Sequence, residues 1–456
     1  MNKSVNLTYN VEDKPKIPQL LVFALQQLLA IMSATILVPM IVGHGMQTSA
    51  ALFGAGIGTL VYLLFTKFKS PVFLGSSFAF LGSMSAAFAG GVSMSLGYLG
   101  LIIGAAFAGL VYVVIAIIVK YAGTAWINKL MPAVVIGPTV AIIGLSLAGN
   151  AIQNLVGFNG GVTPYDGDAG AYIIAGDSFA WIICGLVTLA VTIITSVFGK
   201  KMLKMIPFVI GILAGYVVAT IFTLCGVKVI NFDLFKDINW YPDFTFLTAF
   251  KGDYDYGTVG NFGAYLGAIA VAYIPVAFVV FAEHIADHKN LSSIIGKDLL
   301  EEPGLHRTLL GDGIGSMAGA FFGGCPNTTY GESVGCVAIS GNASVITILV
   351  TAIMAIVISF IGPFSTFLAT IPSCVMGGVC IALYGFIAVS GLKMIQKVDL
   401  SDNSNLFVVS VILIAGVGGM VLSFGSITIT EVACALILGI LTNLLCSKAR
   451  KNKEDK

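Results

Sequence analysis

Charged residues are scarce in this chain. Only 10% of its 456 residues are Asp, Glu, Lys or Arg, against roughly 25% in a soluble domain, and the mean hydropathy is +0.97. This composition excludes an ordinary soluble protein. A net charge of +1, with lysines scattered among many loops, also argues against a nucleic-acid surface.

Several motifs are missing as well. No Walker loop is present, so we expect an ion gradient and not ATP to supply the driving force. No nucleophile–base pair or metal motif stands out, which argues against an enzyme and predicts no metal and no cofactor beyond a coupling ion. The eight cysteines lack CxxC or His-rich spacing and are interpreted as buried hydrophobic residues. The polar N-terminus lacks the features of a cleaved signal peptide.

Long apolar runs are what the sequence has in abundance. Residues 98–119 and 405–424 each reach the ~20 apolar residues with which a helix crosses hydrocarbon. The ~10-residue alternating segments of a membrane β-barrel are absent. Hydropathy predicts fourteen apolar segments, of which those after residues 71 and 326 are the weakest. We therefore predict an all-α, multi-pass protein of the cell membrane, in contact with the lipid bilayer.

Basic residues test this number of spans because they collect in cytoplasmic loops. All but three of the 23 Lys and Arg residues, including those of the tail at 447–456, fall on one predicted side. The exceptions, Lys228, Lys236 and Lys251, share one long loop. Both termini are therefore predicted to be cytoplasmic, and the span count to be even.

The long loop at 226–260 divides the chain into two halves. Residues 1–225 and 261–446 are each predicted to hold seven spans, and an odd number per half makes the halves inverted relative to each other. The third segment of each half is interrupted, at 70–83 and at 325–340. Corresponding interruptions in inverted halves are a sequence indication of a transporter's binding site.

Both interruptions favour extended backbone. The letters GGCP at 323–326 end a helix, and TTY at 328–330 favours a strand. The letters GSS at 75–77 are small enough for a close approach. Because an unpaired backbone group in lipid costs several kcal/mol, we expect one short strand from each half to pair with the other. Two kinked and tightly packed helices are the alternative.

A half-helix is predicted after each strand, near Phe78 and Gly331. Its free N–H groups favour an electron-rich ligand atom. Glu332 lies at the start of the second half-helix, where a substrate contact and helix N-capping are the two interpretations.

Two further carboxylates lie in apolar surroundings. Glu283 ends a 22-residue apolar run, and either marks a substrate or proton pathway or faces water at the interface. Asp312, within a run of small residues, has either a coupling role or a structural hydrogen bond. Burial favours the protonated form of a carboxylate, which suits proton coupling better than Na⁺ coupling.

Histidines and tyrosines near these carboxylates allow further roles. His284 and His288 are spaced i, i+4 and would suit a relay or a metal pair, although we favour cytoplasmic surface histidines because no third ligand follows. Tyr330 and Tyr384 offer flat faces for a ring, or else pack in the core.

Several motifs resemble one family in order. The segments AEHIADH, EEPGLHRTLLGDG and FFGGCPNTTYGESVG, within 282–335, closely resemble the uracil permeases of the nucleobase–ascorbate transporter family, also called nucleobase:cation symporter-2. The segments at 25–39, 74–80, 131–149 and 371–391 extend the resemblance to nearly the whole chain.

The resemblance implies a fold. It implies fourteen spans in two inverted repeats of seven, with short antiparallel strands in spans 3 and 10, and usually a homodimer. Spans 1–4 and 8–11, at about 18–120 and 261–361, would form a core domain. Spans 5–7 and 12–14, at about 131–225 and 366–446, would form a gate domain.

The resemblance also implies a site. The residues it assigns to substrate binding, with their small neighbour, are Glu283, Glu332, Phe78, Gly331, Tyr330, Tyr384 and Ser77. The two glutamates would accept the N–H groups of a nucleobase, and the half-helix amides at Phe78 and Gly331 would donate to its carbonyl oxygens. Proton coupling is assigned first to Glu283, and then to Asp287, His284 and Asp312.

The chain departs from the family pattern at a few positions. Asp287 replaces a histidine and is a candidate substitute for it, Gln27 replaces the histidine of an LQH motif, and Ser333 and Gly341 differ in the motif that follows Glu332. We predict a proton-coupled uracil importer in which a core moves like an elevator against a gate. The alternatives are a xanthine or urate permease of the same family and an anion transporter or channel of a related fold.

Overall fold

The computed structural model describes most of the chain. The ranges it describes are 7–123, 126, 131–156, 162–164, 172–174, 179–200, 203–204, 206–236, 238–424 and 427–454. Four of the basic residues predicted to be cytoplasmic lie outside these ranges: Lys3, Lys129, Lys201 and Lys456.

Helices dominate the described residues. In chain order they are α1 (Ile17–Val42), α2 (Thr48–Phe65), α3 (Leu81–Ala87), α4 (Met94–Ala122), α5 (Ala133–Ser146), α6 (Ala148–Val156), α7 (Phe179–Phe198), α8 (Pro207–Leu224), α9 (Thr245–Ala249), α10 (Phe262–Ile295), α11 (Leu305–Gly323), α12 (Gly331–Ser340), α13 (Val345–Ser359), α14 (Gly362–Ala369), α15 (Ser373–Ile395), α16 (Asn403–Val417) and α17 (Glu431–Glu454).

In the part of the chain that the structure describes, six short strands form three antiparallel pairs. The strands are β1 (Leu74–Ser76), β2 (Val162–Pro164), β3 (Tyr172–Ile174), β4 (Asn327–Thr329), β5 (Leu422–Phe424) and β6 (Ile427–Ile429). β2 pairs with β3 and β5 with β6, each with its neighbour in the chain, whereas β1 pairs with β4 from the other half of the chain.

Among the described residues, eight helices are long and apolar enough to cross a membrane. A ninth is added if α13 and α14, which meet at a bend of 83°, count as one span. The segments predicted at 71–90 and 326–340 are each part strand and part short helix, so neither contains a full-length helix. The chain is thus a mostly helical multi-pass protein, and the fourteen spans and the inverted repeats stay predictions.

The chain divides into two units. The larger unit comprises Met1–Ile143, Pro242–Ser359 and Val389–Lys456, and the smaller unit comprises Gly144–Tyr241 and Phe360–Ala388. The division into a core and a gate domain stays a prediction.

Within the larger unit, α2 and α11 pack backbone against backbone. A Cβ atom added at Gly54 would lie 2.4 Å from the carbonyl oxygen of Gly319, and one at Gly58 would lie 2.7 Å from that of Gly315. Small residues four apart on both helices permit this approach, as in other membrane helix pairs. α11 then ends at Gly324, whose φ of 75° turns the chain out of the helix towards β4.

An N-terminal strap, residues Thr8–Asp13, also belongs to the larger unit. The N–H of Ala343 donates to the Tyr9 carbonyl at 2.9 Å, and the N–H of Val345 donates to the Val11 carbonyl at 3.0 Å. Val11 is buried, and the Ser344 hydroxyl donates to the Asp13 carbonyl at 2.6 Å. The strap is thereby fixed to the turn that joins α12 to α13.

Exposed ion pairs lie near the strap and near the start of α11. Lys297 contacts Glu12 of the strap at 3.4 Å. Lys69 donates to Glu302, and this hydrogen bond lowers the pKa of the exposed Glu302 carboxyl. The first of these contacts places the N-terminal strap beside Lys297, which follows α10.

The smaller unit is also built on close helix packing. A Cβ atom at Gly211 of α8 would lie 2.0 Å from the Thr192 hydroxyl oxygen of α7. Tyr216 of α8 is hydrogen-bonded to Thr370, with 2.8 Å between the two oxygens.

Candidate functional site

The interrupted segments of the two halves meet in the β1–β4 pair. Gly75 lies opposite Thr328, and the backbone N–H of Ser77 donates to the Pro326 carbonyl at 2.9 Å, which extends the pairing beyond the strands. The predicted pairing of one strand from each half is confirmed. It satisfies backbone groups that lipid would leave unpaired.

Two polar side chains, Thr59 of α2 and Asn327 of β4 itself, hold the strands in place. The Thr59 hydroxyl of α2 accepts from the Leu74 N–H at 2.9 Å and lies 3.2 Å from the Leu74 carbonyl oxygen. The Asn327 side-chain amide donates to the Gly54 carbonyl at 3.1 Å. A Cβ atom at Gly58 or Gly319 would collide with that amide, at 2.4 and 2.1 Å. The α2–α11 glycines therefore make room for the side chain that fixes β4.

Tyr330 fastens the two strands together. Its hydroxyl donates to the Ser76 carbonyl at 2.7 Å, and the ring lies where a side chain at position 75 would be. A Cβ atom at Gly75 would be 2.4 Å from two ring carbons. Tyr330 is buried, and its role as a flat surface for a ligand ring stays a prediction.

Each strand leads into a short helix, as predicted. β1 is followed by a 3₁₀ turn at Phe78–Phe80 and then α3, and β4 is followed by α12. The residue that precedes each helix, Ser77 or Tyr330, makes no capping hydrogen bond with its side chain. The Ser77 hydroxyl is buried, and nothing in the described part of the chain pairs with it.

Three half-buried carboxylates surround this junction. Glu283 and Asp287 lie four residues apart on α10 and so share one helix face, and Glu332 lies in the first turn of α12. The Thr329 hydroxyl donates to Asp287 at 3.0 Å, and an added Cβ atom at Gly331 would lie 3.7 Å from the other Asp287 oxygen. Asp287 thus contacts the point where β4 becomes α12.

The acidic cluster has no Lys or Arg partner in the described chain. Glu283, Asp287, Glu332 and the fully buried Asp312 are close enough to interact electrostatically. None of them forms an ion pair with a described Lys or Arg. Carboxylates left without a counter-cation at membrane depth are characteristic of ligand and proton pathways.

The interpretation of His284 and His288 as surface residues is wrong. Both side chains are 0% exposed. His284 Nδ1 lies 2.6 Å from an Asp312 oxygen, and His288 Nε2 lies 2.7 Å from the Tyr62 hydroxyl. Both histidines face neighbouring helices of the larger unit, α11 and α2, which the surface-like letters HIADHK gave no reason to expect.

Gln27 and Ser333, two positions that depart from the family pattern, contact each other. The Gln27 side-chain amide donates to the Ser333 hydroxyl and, at 3.3 Å, to the Ser333 carbonyl. The same hydroxyl accepts from the Phe73 N–H at 3.1 Å, just before β1. One side chain therefore joins α1, α12 and the start of β1.

Sequence reasoning missed Thr59 and Asn327 as site-forming residues. The small-xxx-small spacing of Gly54 with Gly58 and of Gly315 with Gly319 was the available signal, because it is typical of touching membrane helices. Tyr384, by contrast, lies on α15 in the smaller unit, where it is buried and hydrogen-bonded to Cys380. Its predicted substrate contact stays a prediction.

Within the described residues, no group of three or more His, Cys, Asp or Glu side chains is arranged to hold a metal ion. Seven of the eight cysteines are buried or half-buried, and none is in a disulfide.

Apolar spans, two interrupted segments that meet in a strand pair, and carboxylates without cations together define a membrane transporter. The sequence pattern of the permease family Xan_ur_permease matches residues 18–424. The chain belongs to this permease family, and it is not an enzyme.

The sequence aligns with those of several known permeases over nearly its full length. The uracil permease of Bacillus caldolyticus is 40% identical, over 98% of this chain and 95% of that protein. The uracil permease of Bacillus subtilis is 39% identical, over 99% and 98%. That of Escherichia coli K12 is 35% identical, over 95% and 93%. The resemblance inferred from the motifs is confirmed.

Solved structures support the fold alone. The transmembrane domain of BicA, a cyanobacterial bicarbonate transporter, has a TM-score of 0.64 at 15% identity, over 96% of this chain and 98% of that chain. Murine Slc26a9, an anion transporter in the inward-facing state, has a TM-score of 0.66 at 12% identity, over 96% and 69%.

Proposed function

We propose that this permease imports uracil together with a proton. The observation that carries the proposal is the junction of β4 and α12, where a helix start that its N-cap side chain leaves uncapped lies beside half-buried carboxylates. Uracil presents N–H donors and carbonyl acceptors along one edge, so a site with both acceptors and donors is complementary to it. Relatives at 35–40% identity that are named uracil permeases support the same substrate.

Within this proposal each residue has a separate role in binding uracil. Glu332 and Glu283 accept the N–H groups of the ring, and the amides at Gly331 and Phe78 donate to its carbonyl oxygens. Ser77 adds a buried hydroxyl that has no partner in the described structure. Tyr330 keeps the strand pair closed behind the ring, and the substrate contact of Tyr384 stays a prediction from the resemblance.

Proton coupling follows from the same carboxylates. Bound uracil needs ionised glutamates, and four like charges without a cation repel one another. A proton taken up by the cluster relieves that repulsion and favours substrate binding, which is the thermodynamic requirement of a symporter. Glu283 is the first candidate for the coupling residue, with Asp287, His284 and Asp312 as its neighbours.

Transport is proposed to proceed by an elevator-like movement of the predicted core against the predicted gate. The protein is proposed to act as a homodimer with both termini in the cytoplasm. The strand pair, α10 and α12 all belong to the larger unit, so the proposed ligand contacts, other than Tyr384, move together.

Uptake into liposomes with imposed gradients tests the proposal. We expect labelled uracil to accumulate under an inward proton gradient, and not under a Na⁺ gradient alone. Unlabelled uracil should compete and xanthine should not. Strong competition by xanthine with little uracil uptake would identify a purine permease, and bicarbonate or chloride flux without uracil uptake would identify an anion transporter.

Two glutamate variants separate binding from coupling. Glu332→Gln replaces a charge-assisted hydrogen bond with a weaker amide contact, so we expect uracil affinity to fall about 10- to 100-fold. Glu283→Gln should still exchange uracil but fail to concentrate it. Glu301→Gln, at an exposed position outside the site, is the matched control. Undiminished accumulation by Glu283→Gln would remove Glu283 from the coupling role.

A further inference from the structure

His284, Asp312 and Thr308 form a closed hydrogen-bonded group inside the larger unit. His284 Nδ1 lies 2.6 Å from an Asp312 oxygen, and His284 Nε2 lies 3.0 Å from the Thr308 hydroxyl oxygen. That hydroxyl is also 3.1 Å from the Leu305 carbonyl oxygen. The three side chains are fully buried, so bulk water cannot complete their hydrogen bonds.

The Thr308 hydroxyl has one proton for two acceptors. If it donates to the Leu305 carbonyl, His284 Nε2 must carry a proton and donate to Thr308. The His284–Asp312 pair then shares one further proton between Nδ1 and the carboxylate and has no net charge. If Thr308 rotates and donates to Nε2, His284 is neutral, Asp312 is ionised, and the pair has a charge of −1. The two arrangements differ by one proton and one hydroxyl rotation.

His288 contacts a different set of groups. Its Nδ1 lies 2.8 Å from the His284 carbonyl oxygen, which can only accept, so Nδ1 carries the proton. Its Nε2 accepts from the Tyr62 hydroxyl, which is in turn 2.7 Å from the Ser70 oxygen. The two imidazole rings stack at 4.0 Å between centroids, but no ring nitrogen of one is bonded to a ring nitrogen of the other. His288 therefore does not carry protons to His284.

Other ionisable groups surround the pair. On its own helix are Glu283, Asp287 and His288; α12 adds Glu332, α4 adds the Tyr112 phenol and α2 adds the Tyr62 phenol. The nearest guanidinium in sequence, that of Arg307, donates to the Phe65 carbonyl at 3.3 Å. The second oxygen of Asp312 is buried and has no hydrogen-bond partner in the described chain. The neighbours are thus acids and phenols, and no described Lys or Arg pairs with Asp312.

We propose that His284, Asp312 and Thr308 act as a store for a single proton, and that Glu283 responds to its charge. The proposal rests on the proposed function above. A proton from the aqueous phase adds to His284 Nε2, Thr308 rotates to Leu305, and no covalent bond to carbon or oxygen is broken. The store is then neutral, so Glu283 can be ionised and accept a uracil N–H. Release of the proton restores a negative charge beside Glu283 and disfavours bound uracil.

Infrared difference spectra of the purified protein at stepped pH test the store without substrate. We expect carboxyl and imidazole bands that titrate in the wild type and are absent from Asp312→Asn. Thr308→Val removes two hydrogen bonds from the protonated arrangement and one from the deprotonated arrangement. The pH at the midpoint of the titration of these bands should therefore fall by about one unit in Thr308→Val, which corresponds to a tenfold weaker affinity for the proton.

Two variants control for structural effects. Thr308→Ser retains the hydroxyl and should restore the wild-type midpoint. Thr66→Val removes a buried hydroxyl that donates only to backbone carbonyls of its own helix, and should leave the midpoint unchanged. An unshifted midpoint in Thr308→Val, or bands that persist in Asp312→Asn, would overturn the proposal.

The outcomes separate the store from the proposed function. If the Asp312 bands titrate but a proton gradient does not drive uracil uptake, the proton store is supported and the proposed symport is refuted. Proton-driven uptake without titrating bands would remove the store alone. If Thr308→Val does not fold, the Asp312→Asn spectrum still decides.

Discussion

Removal of the Ser333 hydroxyl is predicted to loosen the junction of α1, β1 and α12. In Ser333→Ala, the buried Phe73 N–H loses its acceptor, and the Gln27 amide keeps only the Ser333 carbonyl at 3.3 Å. A buried donor left without a partner costs about 1–3 kcal/mol. Because one donor loses its partner fully and the other in part, we expect the unfolding free energy to fall by about 2–3 kcal/mol.

A double-mutant cycle measures this directly. The variants Ser333→Ala, Gln27→Leu and their combination are compared by thermal unfolding in detergent, with Ser293→Ala on the exposed surface of α10 as the control. Because the two side chains share a hydrogen bond, their effects should be non-additive by about 0.5–1.5 kcal/mol. Since Glu332 precedes Ser333, uracil affinity should also fall, about tenfold. Additive effects, or a Ser333→Ala protein as stable as Ser293→Ala, would refute the reasoning.

Two other positions give sharp expectations. Gly75→Ala places a Cβ atom 2.4 Å from the Tyr330 ring, and we expect overpacking to cost about 1–3 kcal/mol in thermal unfolding. The double variant with Tyr330→Ala should recover part of the lost stability. A Gly75→Ala protein as stable as the wild type would contradict the close packing of the Tyr330 ring against position 75. Val11→Asp buries a charge in the strap, so hydrogen exchange at 341–345 should accelerate. Glu12→Gln, at an exposed position, should leave exchange there unchanged, and equal protection in both variants would show that the strap does not hold this turn.

The strand pair was predictable from the sequence because its causes are local. Gly323, Gly324 and Pro326 end a helix wherever they occur, and the threonines that follow favour extended backbone. The requirement that lipid-buried backbone be paired then left few partners other than the small residues at 75–77. The letters alone gave no register and did not show that the Tyr330 hydroxyl closes the strand pair.

Burial of the histidines was not predictable in the same way. His284 and His288 are close in sequence to lysine and aspartate, which suggests a solvated surface. Their partners, Asp312 and Tyr62, come from other helices. α10 packs closely against α4, where Gly100 and Gly104 leave room for Tyr265 and Tyr273. Single-sequence patterning does not show which side of α10 then faces Asp312 and Tyr62.

The span count shows a related limit. Hydropathy averages over a window, so a strand followed by a short helix scores like a weak span. Residues 71–90 and 326–340 are both of this kind. Length and apolar character identify helices that can cross the bilayer, but they do not distinguish a crossing from a segment that ends at mid-depth.

The strap has a consequence for the order of synthesis. Tyr9 pairs with Asn342, so the strap must wait until all the residues between these two have been synthesised. At roughly 5–20 residues per second the delay is about 15–70 seconds. During that interval the ribosome has released α1 without its final support, and membrane insertion of the first helices must proceed on hydrophobicity alone. The strap can therefore dock only after its partner in the second half of the chain has been synthesised.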